Sequence, residues 1–170
     1  MTACELLQIK LMYREASDRL NDAEILCRNI RTRGSSILLE LLAFELLLKC
    51  LVLIHNGVFK RAHNYEELFF CLPVKVQKRV LCAAESRTAG NANYSDIRGL
   101  LQTFSKNFVD LRYPYERYKD LNENELKERA ERWLAMGAKV EEADFVFYPV
   151  ELYGLNHAIS SEVELCIANK

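Results

Sequence analysis

The chain is poor in the residues that punctuate a fold. Its 170 residues hold only six Gly and three Pro, too few for many short strands joined by tight turns, which leaves long helices as the expected element. Histidine is scarce: only His55, His63 and His157 are available for proton transfer. GxSxG, P-loop, Gly-rich dinucleotide and HExxH patterns are all missing. The hydrolase elbow, phosphate cradle, dinucleotide turn and zincin helix therefore have no sequence basis. The six cysteines form no CxxC pair and none stands at a finger-like distance from paired histidines, so no zinc motif is present and neither metal nor cofactor is expected. Most of them sit among apolar residues, where a thiol behaves as a small hydrophobe. An apolar N-terminal signal region is missing as well, so the expected setting is the reducing cytoplasm. No internal repeat or low-complexity tract interrupts the chain.

What is present is ordinary globular material, half apolar and 28% charged, enough for one domain over residues 1–170 with its own core. The net charge of −1 conceals an asymmetry. Residues 1–119 carry 18 Lys and Arg against 13 Asp and Glu, while residues 120–170 carry 5 against 11. A basic body permits an anionic ligand, and an acidic C-terminal region could mimic one.

The most apolar stretch is 34–57, GSSILLELLAFELLLKCLVLIHNG. Ser35 or Ser36 can cap its start and Gly57 can end it in the left-handed conformation. Apolar residues occupy almost its whole circumference, which predicts a helix surrounded by others. It is long enough to cross a bilayer. However, Glu40, Glu45 and Lys49 lie inside it, and a charge near a bilayer centre costs about 2.5–3.5 kcal/mol. The stretch therefore reads as the central helix of a bundle, with no membrane association.

On either side the helical period recurs. Leu6, Ile9, Tyr13, Ala16, Leu20, Ala23, Cys27 and Ile30 form a stripe over residues 4–31. Arg28, Arg31 and Arg33 close it, either as dipole partners or as a phosphate-facing patch. Asn64 and Glu67 have capping-box spacing for a short helix that Pro73 breaks, and residues 74–87 resume as a helix. Ser95 can cap a strongly amphipathic helix ending at Pro114. Residues 122–136 form a helical arm, an insertion at about 119–144, with Trp133 and Leu134 expected to dock it. Residues 145–148 read as a short extended segment, and Pro149 opens a last helix. The expected fold is all-α: an antiparallel up-and-down bundle of four main helices with short extra helices and the inserted arm.

Glu45 and Lys49 are four apart, Glu first, the favoured order for a helical pair. Charges in so apolar a helix need partners. Arg112, at the end of the amphipathic helix, is a natural supplier. The cluster reads either as a polar lock on helix register or as a pocket for nucleotide or RNA. His55, at the end of the central helix, reads as a protonated imidazole against the dipole, and His157 as a core or surface residue.

Three segments, AFELLLK at 43–49, HNYEEL at 63–68 and FVDLRYPYE at 108–116, resemble the HEPN-domain family in type, order and spacing. That family's pattern is an apolar helix with an internal ExxxK, a helix start like GHDL and an RYP-type segment. The resemblance spans roughly residues 4–118 and the last helix; the arm is unmatched. It implies a helical bundle, commonly a homodimer, of the kind found in RNA cleavage, toxin–antitoxin or antiviral systems, or beside a nucleotidyltransferase. The implied binding residues are Glu45, Lys49, His63, Asn64, Arg112, Tyr113 and Glu116. The family's nucleases carry an Arg followed by a His after four to six residues, His for the proton and Arg for the phosphate. No His here has an Arg at that distance.

The leading expectation is thus a non-catalytic nucleotide- or RNA-associated binding or interaction module, with a nucleotidyltransferase or antitoxin as possible partner. The alternative is a metal-independent endoribonuclease using Arg112 with His63 or Glu116. A third is a helical inhibitor that meets a basic partner through its acidic C-terminal region.

Overall fold

The computed structural model describes residues 2–139, 143 and 145–169, and every regular element among them is helical. The central run becomes α2 (Arg33–Asn56) and is buried on most sides from Leu41 to Leu53. Gly57 ends it with φ 67°, its amide donating to the Leu53 carbonyl at 3.0 Å, a conformation that costs glycine no Cβ clash. No helix is long and apolar enough to cross a membrane among the described residues.

Around α2 pack α1 (Ala3–Cys27), α3 (Tyr65–Phe70), α5 (Ile97–Arg112) and α7 (Pro149–Ala168), while α4 (Val74–Thr88) packs mainly on α7. α1 runs antiparallel to α2, since Ser36 donates to the Ala23 carbonyl at 2.8 Å and the Cys50 thiol lies 3.8 Å from the Ile9 carbonyl. α5 is also antiparallel: Phe104 meets Phe44 edge-on, with centroids 5.9 Å apart, and Leu111 lies beside Gly34. α7 reaches α2 where Asn156 donates to the Glu40 carbonyl at 3.4 Å, and Tyr13 of α1 hydrogen-bonds Glu164. One continuous core joins these helices. Edge-to-face rings, Phe44 on Tyr65 at 5.3 Å and on Phe104, fill its middle, a geometry favoured by the ring quadrupoles.

Several ends differ from the sequence reading. α1 stops at Cys27, a single 3₁₀ turn spans Ile30–Thr32, and Arg33 begins α2. The arginine cluster is therefore split between two helices rather than closing one. Ser36 bonds to α1, and Thr32 sits at the α2 cap position without capping it, its hydroxyl donating instead to the Leu26 carbonyl at 2.6 Å. Asp96, not Ser95, caps α5, accepting from the Gly99 amide at 2.9 Å. Residues 145–148 are irregular backbone, tied by Asn107 Nδ2 donating to the Val146 carbonyl at 2.8 Å.

The arm forms α6 (Glu123–Ala135), opened by a full capping box between Asn122 and Glu125. Its expected docking by Leu134 is not found. Leu134 is 62% exposed, no residue of α6 is buried, and the Trp133 indole donates to the Lys139 carbonyl inside the arm itself. The arm's expected end near 144 lies partly outside the described residues.

Candidate functional site

Halfway along α2 the sequence places a carboxylate and an ammonium in apolar surroundings. Lys49 Nζ lies 2.7 Å from Glu45 Oε1, with both side chains less than a tenth exposed. The loop before α3 supplies a second partner. His63 Nδ1 sits 3.0 Å from Glu45 Oε1 and 3.2 Å from Oε2, while 69% of its side chain remains exposed. The same loop lays Phe59 over the Lys49 ammonium, 5.8 Å from nitrogen to ring centroid, a cation–π contact that covers the pair. Glu45 is thus held from its own helix and from across a loop, and His63 presents its second ring nitrogen outward.

α3 holds that loop in place. Asn64 caps it, accepting from the Glu67 amide at 3.1 Å, and the Glu67 carboxylate turns back to Lys60 at 3.0 Å. Tyr65 is fully buried, its hydroxyl donating to the Leu41 carbonyl at 3.0 Å and its amide to Ser105 at 3.1 Å. Burial first and the Glu45 charge second push the Tyr65 hydroxyl far above the usual tyrosine range, so it stays a donor. Asn64, expected among the binding residues, is a helix cap here.

Arg112 stands apart from the pair. Its neighbour Leu111 lies beside Gly34, eleven residues before Glu45 on α2, which is roughly 16 Å along the axis at 1.5 Å per residue. The guanidinium donates to the Tyr113 hydroxyl at 3.2 Å and covers the rings of Phe108 and Tyr113, each centroid 5.2 Å away. Phe108 in turn packs on Tyr65 at 6.2 Å. The partners of Glu45 are Lys49 and His63, whereas Arg112 leans back along α5 over a row of rings that leads toward them. Past Pro114, Tyr115 meets Tyr113 edge-on at 6.3 Å, and Glu116 pairs with Lys119 at 3.1 Å. Arg112, Tyr113, Tyr115 and Glu116 are all exposed.

Sequence reasoning missed a second polar locus. A cavity of about 430 Å³ between α1, α2 and α7 is lined by Glu24, Glu40, Tyr153, Asn156, His157 and Ser160. Burial raises the Glu40 carboxyl above its ordinary range, against a smaller lowering by Ser36. Asn156 Oδ1 is buried without a hydrogen-bond partner among the described residues. The signal was faint: Asn156 sits beside the inward stripe of α7, and Glu40 was visible only as a charge in an apolar helix.

His55 also departs from expectation. Burial lowers its imidazole pKa, more than the nearby Glu162 charge raises it. It is held toward the neutral form rather than as a cation on the helix dipole. Comparison of the chain with family models, with curated proteins and with solved structures finds no match.

Proposed function

We propose that the chain is a nucleotide- or RNA-associated binding module of HEPN-like type, engaging its ligand without cleaving it. The observation that carries this reading is the alternation of cations and rings along two segments: exposed Phe59, Arg61 and His63 with half-buried Lys60 in one, and exposed Arg112, Tyr113, Tyr115 and Lys119 in the other. Bases stack on such rings regardless of sequence, and the cations between them meet phosphates. The Glu45–Lys49 pair supports the first of these segments from beneath, because it is buried, mutually satisfied and in contact with Phe59 and His63.

Fluorescence anisotropy with a labelled single-stranded oligoribonucleotide tests the proposal. Binding should weaken steeply with salt, and Arg112→Ala should flatten the log–log slope by about 0.7, the share of one phosphate contact. Absence of binding at low salt would sink it.

One observation favours the endoribonuclease as a second reading. A carboxylate on His63 Nδ1 with the other nitrogen free to reach substrate is the arrangement that orients a general base. Incubation with mixed RNA in EDTA decides: cleavage abolished by both His63→Ala and Arg112→Ala would establish a nuclease, and intact RNA at high protein concentration would leave the binding module.

A further inference from the structure

At the end of α2 remote from Leu111 and Arg112, the last turn of the helix brings His55 against α7. There Glu162 and Cys166, four residues apart, share one face of that helix. A ring nitrogen of His55, a carboxylate oxygen of Glu162 and the Cys166 sulfur all lie within 4.8 Å of one another. We propose that these three side chains form a divalent transition-metal site, with zinc the ion its donors suit.

The donor set carries the choice of ion. Imidazole, carboxylate and thiolate are the three zinc ligands of proteins, and a thiolate disfavours magnesium and calcium. Bond lengths of about 2.0–2.3 Å to a tetrahedral zinc put donors roughly 3.3–3.7 Å apart. The observed cluster thus needs a contraction of about an ångström, within reach of side-chain rotation.

An independent feature points to a missing ligand. His55 Nε2 is buried and has no hydrogen-bond partner among the described residues, a state that buried polar atoms rarely keep. A metal would satisfy it.

Arg79 already grips Glu162 through both carboxylate oxygens, its Nε 3.3 Å from Oε2. With one oxygen turned to the metal, the other can keep this bond, and Arg79 then orients a ligand, as second partners of metal sites do. A cavity of about 340 Å³ between α4 and α7, walled by Val80, Ala83, Ala158 and Leu165 together with Cys82 and Ser86, touches the cluster only at Glu162. Binding converts the Cys166 thiol to a thiolate bonded to zinc and releases its proton to buffer. Two anionic ligands then neutralise the ion. The sequence hides all this, because His55 lies more than a hundred residues from its partners and only Glu162 and Cys166 share a helical spacing.

The test uses the full chain, stripped by chelator and titrated with cobalt(II) and then zinc. The expected result is a thiolate-to-cobalt charge-transfer band that saturates at one equivalent and is displaced by zinc, with proton release seen as a buffer-dependent heat. Cys166→Ser should abolish the band. His55→Gln and Glu162→Gln should each weaken zinc binding by at least about 100-fold, beyond the 10–100-fold of losing an outer partner. Cys82→Ser, beside the cavity, should change nothing. Should Cys166→Ser fail to fold, mass spectrometry of alkylated wild-type chain decides, because zinc must protect Cys166 selectively. A band that survives Cys166→Ser, or no band and no protection in the wild type, overturns the proposal.

Discussion

Glu45 and Lys49 share one buried contact at 2.7 Å, and because Glu45 also has His63, it is the deletion of Glu45 that leaves its partner, the buried Lys49 ammonium, without a carboxylate. Glu45→Ala is expected to cost about 3–5 kcal/mol, a fall in Tm of roughly 6–20 °C for a chain of this size. Replacing both by leucine should recover most of that loss, because well-packed apolar residues often match a buried pair. Thermal melts of the two singles and the double check the non-additivity, and additive losses would refute it. Glu40 tests burial differently. Its carboxyl is raised by desolvation, so the folded chain keeps a proton that the unfolded chain has released. Stability then falls as pH rises from the ordinary value of 4.5 through the folded one. Glu40→Gln removes that loss. Its Tm should exceed that of wild type at pH 8, the gap closing toward pH 4, and an equal gap at both pH values would contradict the assignment. Cys50, with its thiol pushed up to about 12 by burial, should resist alkylation at pH 8 while exposed Cys4, Cys27 and Cys82 react, and should react only on unfolding.

At the scale of elements, α4 and α7 approach closely because residue 154 is glycine. A Cβ there would meet the Tyr94 hydroxyl and come within 2.7 Å of the Thr88 methyl. Gly154→Ala is therefore expected to destabilise by about 1–3 kcal/mol despite alanine's better helix propensity, and urea unfolding measures it. The helices themselves were legible from the sequence, since continuous apolarity marks α2 and three- and four-residue steps mark α1, α5 and α7. Their ends were less so. Ser95 and Asp96 are both good caps, and only the backbone turn that aims one side chain at the Gly99 amide chooses between them. Trp133 likewise looked like an anchor, yet its indole is satisfied within the arm. Amide exchange in α6 should accordingly be fast and that in α2 slow.

For the whole molecule, the site was legible only where it is local. The four-residue step from Glu45 to Lys49 is written in the chain. The return of His63 onto Glu45 depends on how α3 docks through Tyr65, and the distance of Arg112 from the pair depends on the register of α5 against Gly34. Assembly is decided at this scale too. Leu7, Leu11 and Ile25 stand 50–65% exposed and recur on one outer stripe of α1, a face suited to the homodimer that the HEPN resemblance implies. Sedimentation should give a dimer that Leu7→Asp with Leu11→Asp converts to monomer; a monomeric wild type would remove that part of the reading.

The order in which α2 acquires its neighbours has a consequence for synthesis. Its α7-facing side is covered by residues 149–168, translated about 110 positions later. At 5–20 residues per second the ribosome leaves that side bare for roughly 6–20 s. During that time the most apolar helix of the chain is a target for holdases and for other nascent copies. A chain halted at residue 148 should freeze this state, binding a hydrophobic dye and sedimenting with aggregates, whereas one lacking only α6 should not.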